Sequence, residues 1–187
     1  NISNVGAHTV SFVPLVKGVE IMSGTYRIPA CFVRARAAMT NTASTSPYRS
    51  AGRPEVNFVI ERLVDLASRE TGIEPVELRR RNLIPANAMP YANGLGMTYD
   101  SGDYRKVLDE ALALGDVDGF KARKAESAGR GKRRGLGIAS YMETSTGAPR
   151  ERTEMSVVPP QRDENGKGRI DVVIGTLSSG QGHETSF

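Results

Sequence analysis

Apolar positions along this chain change their spacing several times, and each change predicts a different kind of element. Between Pro54 and Gly72 they recur three and four apart, at Val56, Val59, Ile60, Leu63, Val64 and Ala67, which predicts a helix with those six turned inward. Its ends carry matching chemistry: Pro54 suits the first turn, Glu55 favours the positive end of the helix dipole, and Gly72 supplies the stop. A shorter helix is expected from Pro75 to about Asn82, with Val76 and Leu78 as its apolar positions. A third should run from about Asp103 to Leu114 with Val107, Leu108, Ala111 and Leu112 inward, and a more polar fourth from roughly Val117 to Ser127.

Beyond the basic connector that ends at Arg134 the period drops to two. "GLGIASYME" and "TEMSVV" alternate, and "RIDVVIGT" offers Ile170, Val172 and Ile174 to one face, so strands are expected there. Asn165-Gly166 lies between the last two and signals a hairpin. At the other end, "TVSFVPLVKGVEI" reads as short strands belonging to a sheet begun elsewhere. Two stretches read as loops: Thr40 to Gly52, rich in small and hydroxyl residues, and "LIPANAMPYANGLGMTYDSGDY", whose length suggests packing against something else. The order predicts an α+β fold, helices followed by an antiparallel sheet. Residues 1–39 are the end of a preceding sheet segment, 40–129 a loop and helical segment, and 130–187 antiparallel strands ending in a glycine loop, all within one incomplete domain.

Composition narrows the classes. Hydrophobic residues at 39% and charged residues at 25% describe a soluble globular chain. No run approaches the ~20 apolar residues of a membrane helix, and no signal core opens the sequence, so a soluble, cytoplasmic protein without a membrane span is expected. Cys31 is the only cysteine, which excludes an intrachain disulfide and any iron–sulfur cluster held by this chain's cysteines. The net charge of +4 owes much to Arg79-Arg80-Arg81 and Arg130-Gly131-Lys132-Arg133-Arg134. Neither run has aromatic residues interleaved, so they read as a solvated helix end and a basic connector, with no nucleic-acid partner.

The chemistry gathers at two places. His183-Glu184 opens like a zinc-protease helix, but Phe187 stands where the second histidine is needed, and His8 is the only other histidine. No G-x-S-x-G occurs for a serine hydrolase, and Gly131-Lys132-Arg133 lacks phosphate-loop spacing. What remains is "GTLSSGQGHET" after an apolar strand. Gly180 and Gly182 flank Gln181, so backbone can approach a ligand while one amide both donates and accepts. The residues that follow suit a helix start, whose N–H groups bind anions. On these residues alone the stretch is either a turn or a ligand loop.

"SPYRSAGRPE" and "GQGHET" together resemble the molybdenum-binding large subunit of the xanthine dehydrogenase, aldehyde oxidase and carbon monoxide dehydrogenase family. "ERLVDLASRETGIEPVELRRRNLIP", "MPY", "YDSGDY" and "RGLGIASYME" follow that family's pattern in order, so the resemblance covers nearly everything from Thr40 onward. It implies the fold of part of a molybdopterin-binding domain, with molybdopterin cytosine dinucleotide as the molybdenum cofactor of the whole protein. Tyr48, Arg49, Ser50, Ala51 and Gly52 would pass beside the cofactor, Arg49 and Ser50 nearest the molybdenum, and Gly180, Gln181, Gly182, His183 and Glu184 would hold the dinucleotide. The implied reaction hydroxylates a small molecule, whether an aldehyde, a purine-like heterocycle or nominally carbon monoxide, with water as oxygen source. Electrons would leave through an iron–sulfur partner and an FAD partner in a hetero-oligomer.

Carbon monoxide dehydrogenases place a copper-binding cysteine where Ser50 stands, which puts carbon monoxide oxidation in doubt. The family's phenylalanine loop would fall upstream of Asn1 and its general-base glutamate downstream of Phe187. The resemblance therefore implies an internal segment with no catalytic residue of its own, in which Glu143 and Glu184 are structural or cofactor-adjacent. The contrary expectation is a non-catalytic cofactor-binding or assembly domain of the same fold. Plainer roles also stand beside the implied ones. Arg49 and Arg53 would pair with helix carboxylates such as Glu55, His183 would cap the last strand, Cys31 would be a small buried hydrophobe, Met39 and Met142 would fill core gaps, and Tyr48 would pack.

Overall fold

The computed structural model describes residues 2–8, 12–144, 150–176 and 178–186. The chain divides into two compact units, Asn1–Glu143 and Thr144–Phe187. The first unit opens with strand β1 (Ile2–Gly6), which pairs in parallel with β2 (Arg36–Met39), the register shifting between Asn4 and Gly6. Between them Val13–Lys17 forms a short helix, α1. The expected strands of "TVSFVPLVKGVEI" are not found there, and residues 9–11 lie outside the described residues. Pro14 in the first turn explains the difference, since its fixed φ starts a helix and it has no N–H for a ladder.

The long helix α2 spans Arg53–Thr71 and ends at Gly72, whose φ of 70° is left-handed. It is followed by α3 (Pro75–Asn82) at the expected bounds. What α2 buries is not what its apolar spacing predicts. Its buried residues are Arg53, Val56, Asn57, Glu61 and Ser68, while Leu63 is 54% exposed. The buried stripe is polar because the elements packed on it bring polar groups. Arg79 of α3 is fully enclosed, its Nε 2.9 Å from Glu61 Oε2 and its Nη2 2.9 Å from Asp65 Oδ1. Burial alone would lower the Arg79 pKa, but the bonds to Asp65 and Glu61 and the charge of Glu61 raise it. Tyr26 adds a 2.5 Å bond to the other Glu61 oxygen, and burial first, then that bond, raises its hydroxyl pKa.

The triple-arginine run is therefore not simply a solvated helix end. Arg79 is an interior ion pair, Arg80 reaches Asp109 at 2.6 Å and ties α3 to the helix carrying it, and only Arg81, paired with Glu77, stays on the surface. Apolar packing completes the unit in two clusters, one of Ile21, Val56, Ile84, Tyr99 and Met142, the other of Tyr26, Leu83 and Leu108. Met142 fills the core as expected, whereas Met39 is 60% exposed and Cys31 only half-buried.

The stretch from Leu83 to Tyr104 is less irregular than its prolines and glycines suggest. β3 (Tyr91–Ala92) and β4 (Thr98–Tyr99) pair antiparallel around the buried Asn93. Its Oδ1 accepts the N–H groups of Leu95 and Met97, and its amide donates to Glu20 O and Tyr99 Oη, so one side chain supplies the loop's missing bonds. Helix α4 (Tyr104–Leu114) is capped by Asp103, which accepts from Lys106 N–H at 3.0 Å. Of its expected inward positions only Leu108 is buried, and Val107 and Ala111 line an open cleft with Leu136 and Ile138. Helix α5 covers Phe120–Gly129, starting later than expected because Asp116, at φ 43°, closes a turn by accepting from Gly119 N–H.

"GLGIASYME" has no regular secondary structure and joins no ladder among the described residues. A side chain holds it instead: Asn57 of α2 donates to Met142 O at 3.1 Å and accepts from Met142 N–H at 3.0 Å. The second unit contains β5 (Thr153–Val158) and β6 (Arg169–Ile174), an antiparallel pair with Met155 opposite Val172 and Val157 opposite Ile170. These four side chains are more than half exposed. A four-residue helix, α6 (His183–Ser186), follows. The α+β class stands, with helices leading into an antiparallel pair.

Candidate functional site

The residues from Tyr48 to Gly52 form a tight turn at the entry to α2. Ala51 N–H reaches Tyr48 O at 2.9 Å and Arg53 N–H reaches Ser50 O at the same distance. Two residues are left-handed: Ser50 at φ 66° and Gly52 at φ 88°. The glycine is required twice over, because a Cβ there would run into the Pro14 carbonyl and stand 2.8 Å from Gly18 N. Gly18 is equally constrained, since a Cβ on it would meet the Gly52 carbonyl and lie 2.6 Å from Val56 Cγ1. Two backbones thus touch where α1 ends and α2 begins. Ser50 has no such excuse, and a left-handed serine needs its surroundings to hold it.

A neighbouring segment meets the start of α2, where Tyr141 Oη donates to Glu143 Oε2 at 3.0 Å. Glu143 Oε1 lies 2.9 Å from Nε of Arg53, a residue only 6% exposed. Arg53 therefore pairs with Glu143. Burial raises the Tyr141 hydroxyl pKa, nearby Ser50 opposes this, and the bond to Glu143 adds to it. Tyr48, expected to pack, is 74% exposed, and Arg49 is exposed beside it. Tyr141 is a site residue that sequence reasoning missed. The available signal was the alternation itself, which puts Tyr141 and Glu143 on one side of an extended chain.

The second loop lies in the second unit. Gly180 and Gly182 are left-handed, at φ 90° and 74°. Gln181 turns back on its own loop, its Oε1 accepting the Ser179 N–H. The carbonyl of Gly182 accepts from Thr185 and Ser186, through both their N–H groups and their hydroxyls. His183 begins α6 instead of capping a strand, and Glu184 is exposed. With only four residues in α6, any donors offered to a ligand come from the glycine turns and not from a helix dipole. Leu177 and Phe187 lie outside the described residues, and the two loops are described each by itself.

Both loops suit an anionic, polar ligand better than a metal cage. Left-handed turns point successive N–H groups one way, Arg49 adds an exposed cation, and the carboxylate of Glu143 is already engaged by Arg53 and Tyr141. Among the described residues no three of His, Cys, Asp and Glu are grouped to bind a metal ion.

Comparison with known proteins gives a consistent set of likenesses. Residues 1–83 match the molybdopterin cofactor-binding domain. Over 97% of its length the chain is 33% identical to the 6-hydroxypseudooxynicotine dehydrogenase complex subunit gamma of Paenarthrobacter nicotinovorans, of which it covers 23%. It is 29% identical over 90% of its length to the carbon monoxide dehydrogenase large chain of Hydrogenophaga pseudoflava, covering 22% of that protein. The crystal structure of quinoline 2-oxidoreductase from Pseudomonas putida 86 superimposes with a TM-score of 0.75 at 29% identity, over 98% of this chain and 25% of that one. The chain thus spans about a quarter of the length of the proteins it matches.

Proposed function

Because this chain belongs to the xanthine dehydrogenase and carbon monoxide dehydrogenase large-subunit family and corresponds to a portion of its molybdopterin-binding region, we propose that its two left-handed loops hold the molybdenum cofactor of a hydroxylase acting on a nitrogen heteroaromatic. The observation that carries this is that Ser50, Gly52, Gly180 and Gly182 are each left-handed, on a chain alike over nearly its whole length to a 6-hydroxypseudooxynicotine dehydrogenase complex subunit.

In this reading the turn at Tyr48 to Gly52 borders the metal end of the cofactor. Arg49 supplies the cation there, and Gly52 lets the backbone lie close to α1. Gly180, Gln181 and Gly182 take the dinucleotide end of molybdopterin cytosine dinucleotide, with His183 and Glu184 at their edge. When bound, that cofactor supplies the two-electron oxidation of the substrate carbon. This chain's part is to bind and orient the cofactor. With one cysteine in 187 residues, the electrons are passed to iron–sulfur and flavin partners.

Serine at position 50 argues against carbon monoxide as substrate. Copper(I) prefers a thiolate, and a serine hydroxyl is a poor replacement. The test is to co-express the large subunit carrying this segment with its iron–sulfur and flavin partners and follow dye reduction with quinoline, an aldehyde and carbon monoxide. Quinoline turnover well above the other two is expected. Carbon monoxide oxidation accompanied by stoichiometric copper would overturn the reading.

A further inference from the structure

We propose that the cleft between α2 and the segment 138–141 is a binding site for a small aromatic acid, with Phe58 and Tyr141 holding the ring and Arg62 the carboxylate. The cleft encloses about 360 Å³, within the range of small-molecule sites. No residue of either candidate loop lines it, so the inference does not rest on the cofactor reading.

Helix α2 gives the cleft two rows of side chains, each spaced about one turn apart. The first row is Asn57, Glu61 and Asp65, and each of these is already engaged. Asn57 donates to Arg53 O at 2.8 Å and to Met142 O at 3.1 Å, and accepts the Met142 N–H. Glu61 accepts from Tyr26 and Arg79, and Asp65 from Arg79. The second row is Pro54, Phe58 and Arg62. Phe58 is 71% exposed, and Arg62 is exposed and makes no hydrogen bond or ion pair among the described residues. Two carboxylates and two guanidinium groups therefore balance around the cleft. Arg79 is committed to both acids, which leaves Arg62 for a ligand's charge. The other wall supplies Ile138, Ala139 and the half-exposed Tyr141, and the Asn57 bonds to Met142 hold it against α2. Single exposed aromatic residues are ordinary on protein surfaces. Two of them on the two walls of one cleft, with an unpaired guanidinium beside them, match a planar ring that carries one carboxylate.

Titration of the whole chain with 2-naphthoate, followed through the backbone amide resonances, tests it. Saturable shifts are expected at residues 138–141 and around Phe58 and Arg62, with weaker binding of the neutral naphthalene-2-carboxamide and of the cationic 2-naphthylmethylammonium ion. Phe58 and Arg62 are exposed, so Phe58→Ala and Arg62→Gln should leave the fold intact, which unfolding curves check. Arg62→Gln should weaken 2-naphthoate about tenfold and the carboxamide by no more than about twofold. Phe58→Ala should weaken both about fivefold. Lys121→Gln removes an exposed cation that does not line the cleft and should leave both affinities unchanged. The proposal falls if no saturable shift appears at residues 138–141 up to millimolar 2-naphthoate, or if the carboxamide or the ammonium ion binds as tightly as the carboxylate. It falls equally if Arg62→Gln and Lys121→Gln have the same effect.

Discussion

The two candidate loops stand on unlike supports. The turn at Tyr48 to Gly52 is fastened to a polar interior, where α2 buries Arg53, Asn57 and Glu61 against groups from α3 and the segment around Met142. The turn at Gly180 to Gly182 follows a two-stranded sheet whose Met155, Val157, Ile170 and Val172 are more than half exposed, and Gln181 and Thr185 bond within the loop. A two-stranded hairpin is marginal by itself, and burial makes geometry expensive to change. The first loop should therefore arrive pre-shaped and the second should be easier to alter without cost to folding.

Substitutions can break or sharpen this contrast. The largest effect is expected from Arg79→Ala, which leaves Glu61 enclosed without its cation and should cost about 3–5 kcal/mol in denaturant unfolding. A loss below about 1 kcal/mol would mean that the interior ion pair is not what shapes the first unit. Gly52→Ala comes next, since its Cβ would meet backbone at a left-handed position, and a loss of about 2–3 kcal/mol should appear in the same measurement. Asn57→Ala frees both polar groups of Met142 and should cost about 2 kcal/mol. On the other side of the comparison, Val157→Thr in the hairpin should stay within about 0.5 kcal/mol, because the side chain is 75% exposed. A larger change there would mean that something covers that face.

Alkaline pH gives the mildest test. Tyr104 has its hydroxyl pKa pushed up to about 12, by burial first and then by Tyr99 and Asp100, against about 10 in an unfolded chain. A raised folded pKa stabilises below pH 10 and is lost as the pH rises through the folded value, because the unfolded state gives up its proton first. The melting temperature should fall between about pH 10 and 12, and Tyr104→Phe should flatten that fall.

Much of the fold was legible because local rules decided it. Proline and glycine bounded α2 and α3, Asp103 capped α4, and period-two spacing marked β5 and β6. The failures share one cause. Hydrophobic spacing predicts which face is buried only where the neighbours are apolar, and α2 meets Arg79, Tyr26 and the Met142 backbone instead. Glu61 and Asp65, one turn apart on α2, matched an arginine in the run that follows, but spacing alone does not say which arginine turns inward. At the candidate site, the glycines were readable from their turns. Tyr141 was not, since its place depends on Glu143, which meets Arg53 across a long stretch of chain.

The central proposal is that each loop contributes to holding the cofactor, and cofactor retention tests it most directly. The large subunit carrying this segment would be purified with its partners, and molybdenum and cytidine monophosphate released by acid hydrolysis would be counted per polypeptide. The same count would be made on Gly182→Val and Arg49→Ala. The account predicts near-equal molybdenum and cytidine monophosphate in the parent, loss of the nucleotide in Gly182→Val with folding intact, and a lowered molybdenum content in Arg49→Ala. A parent protein that carries neither, or variants that retain both in full, would contradict it.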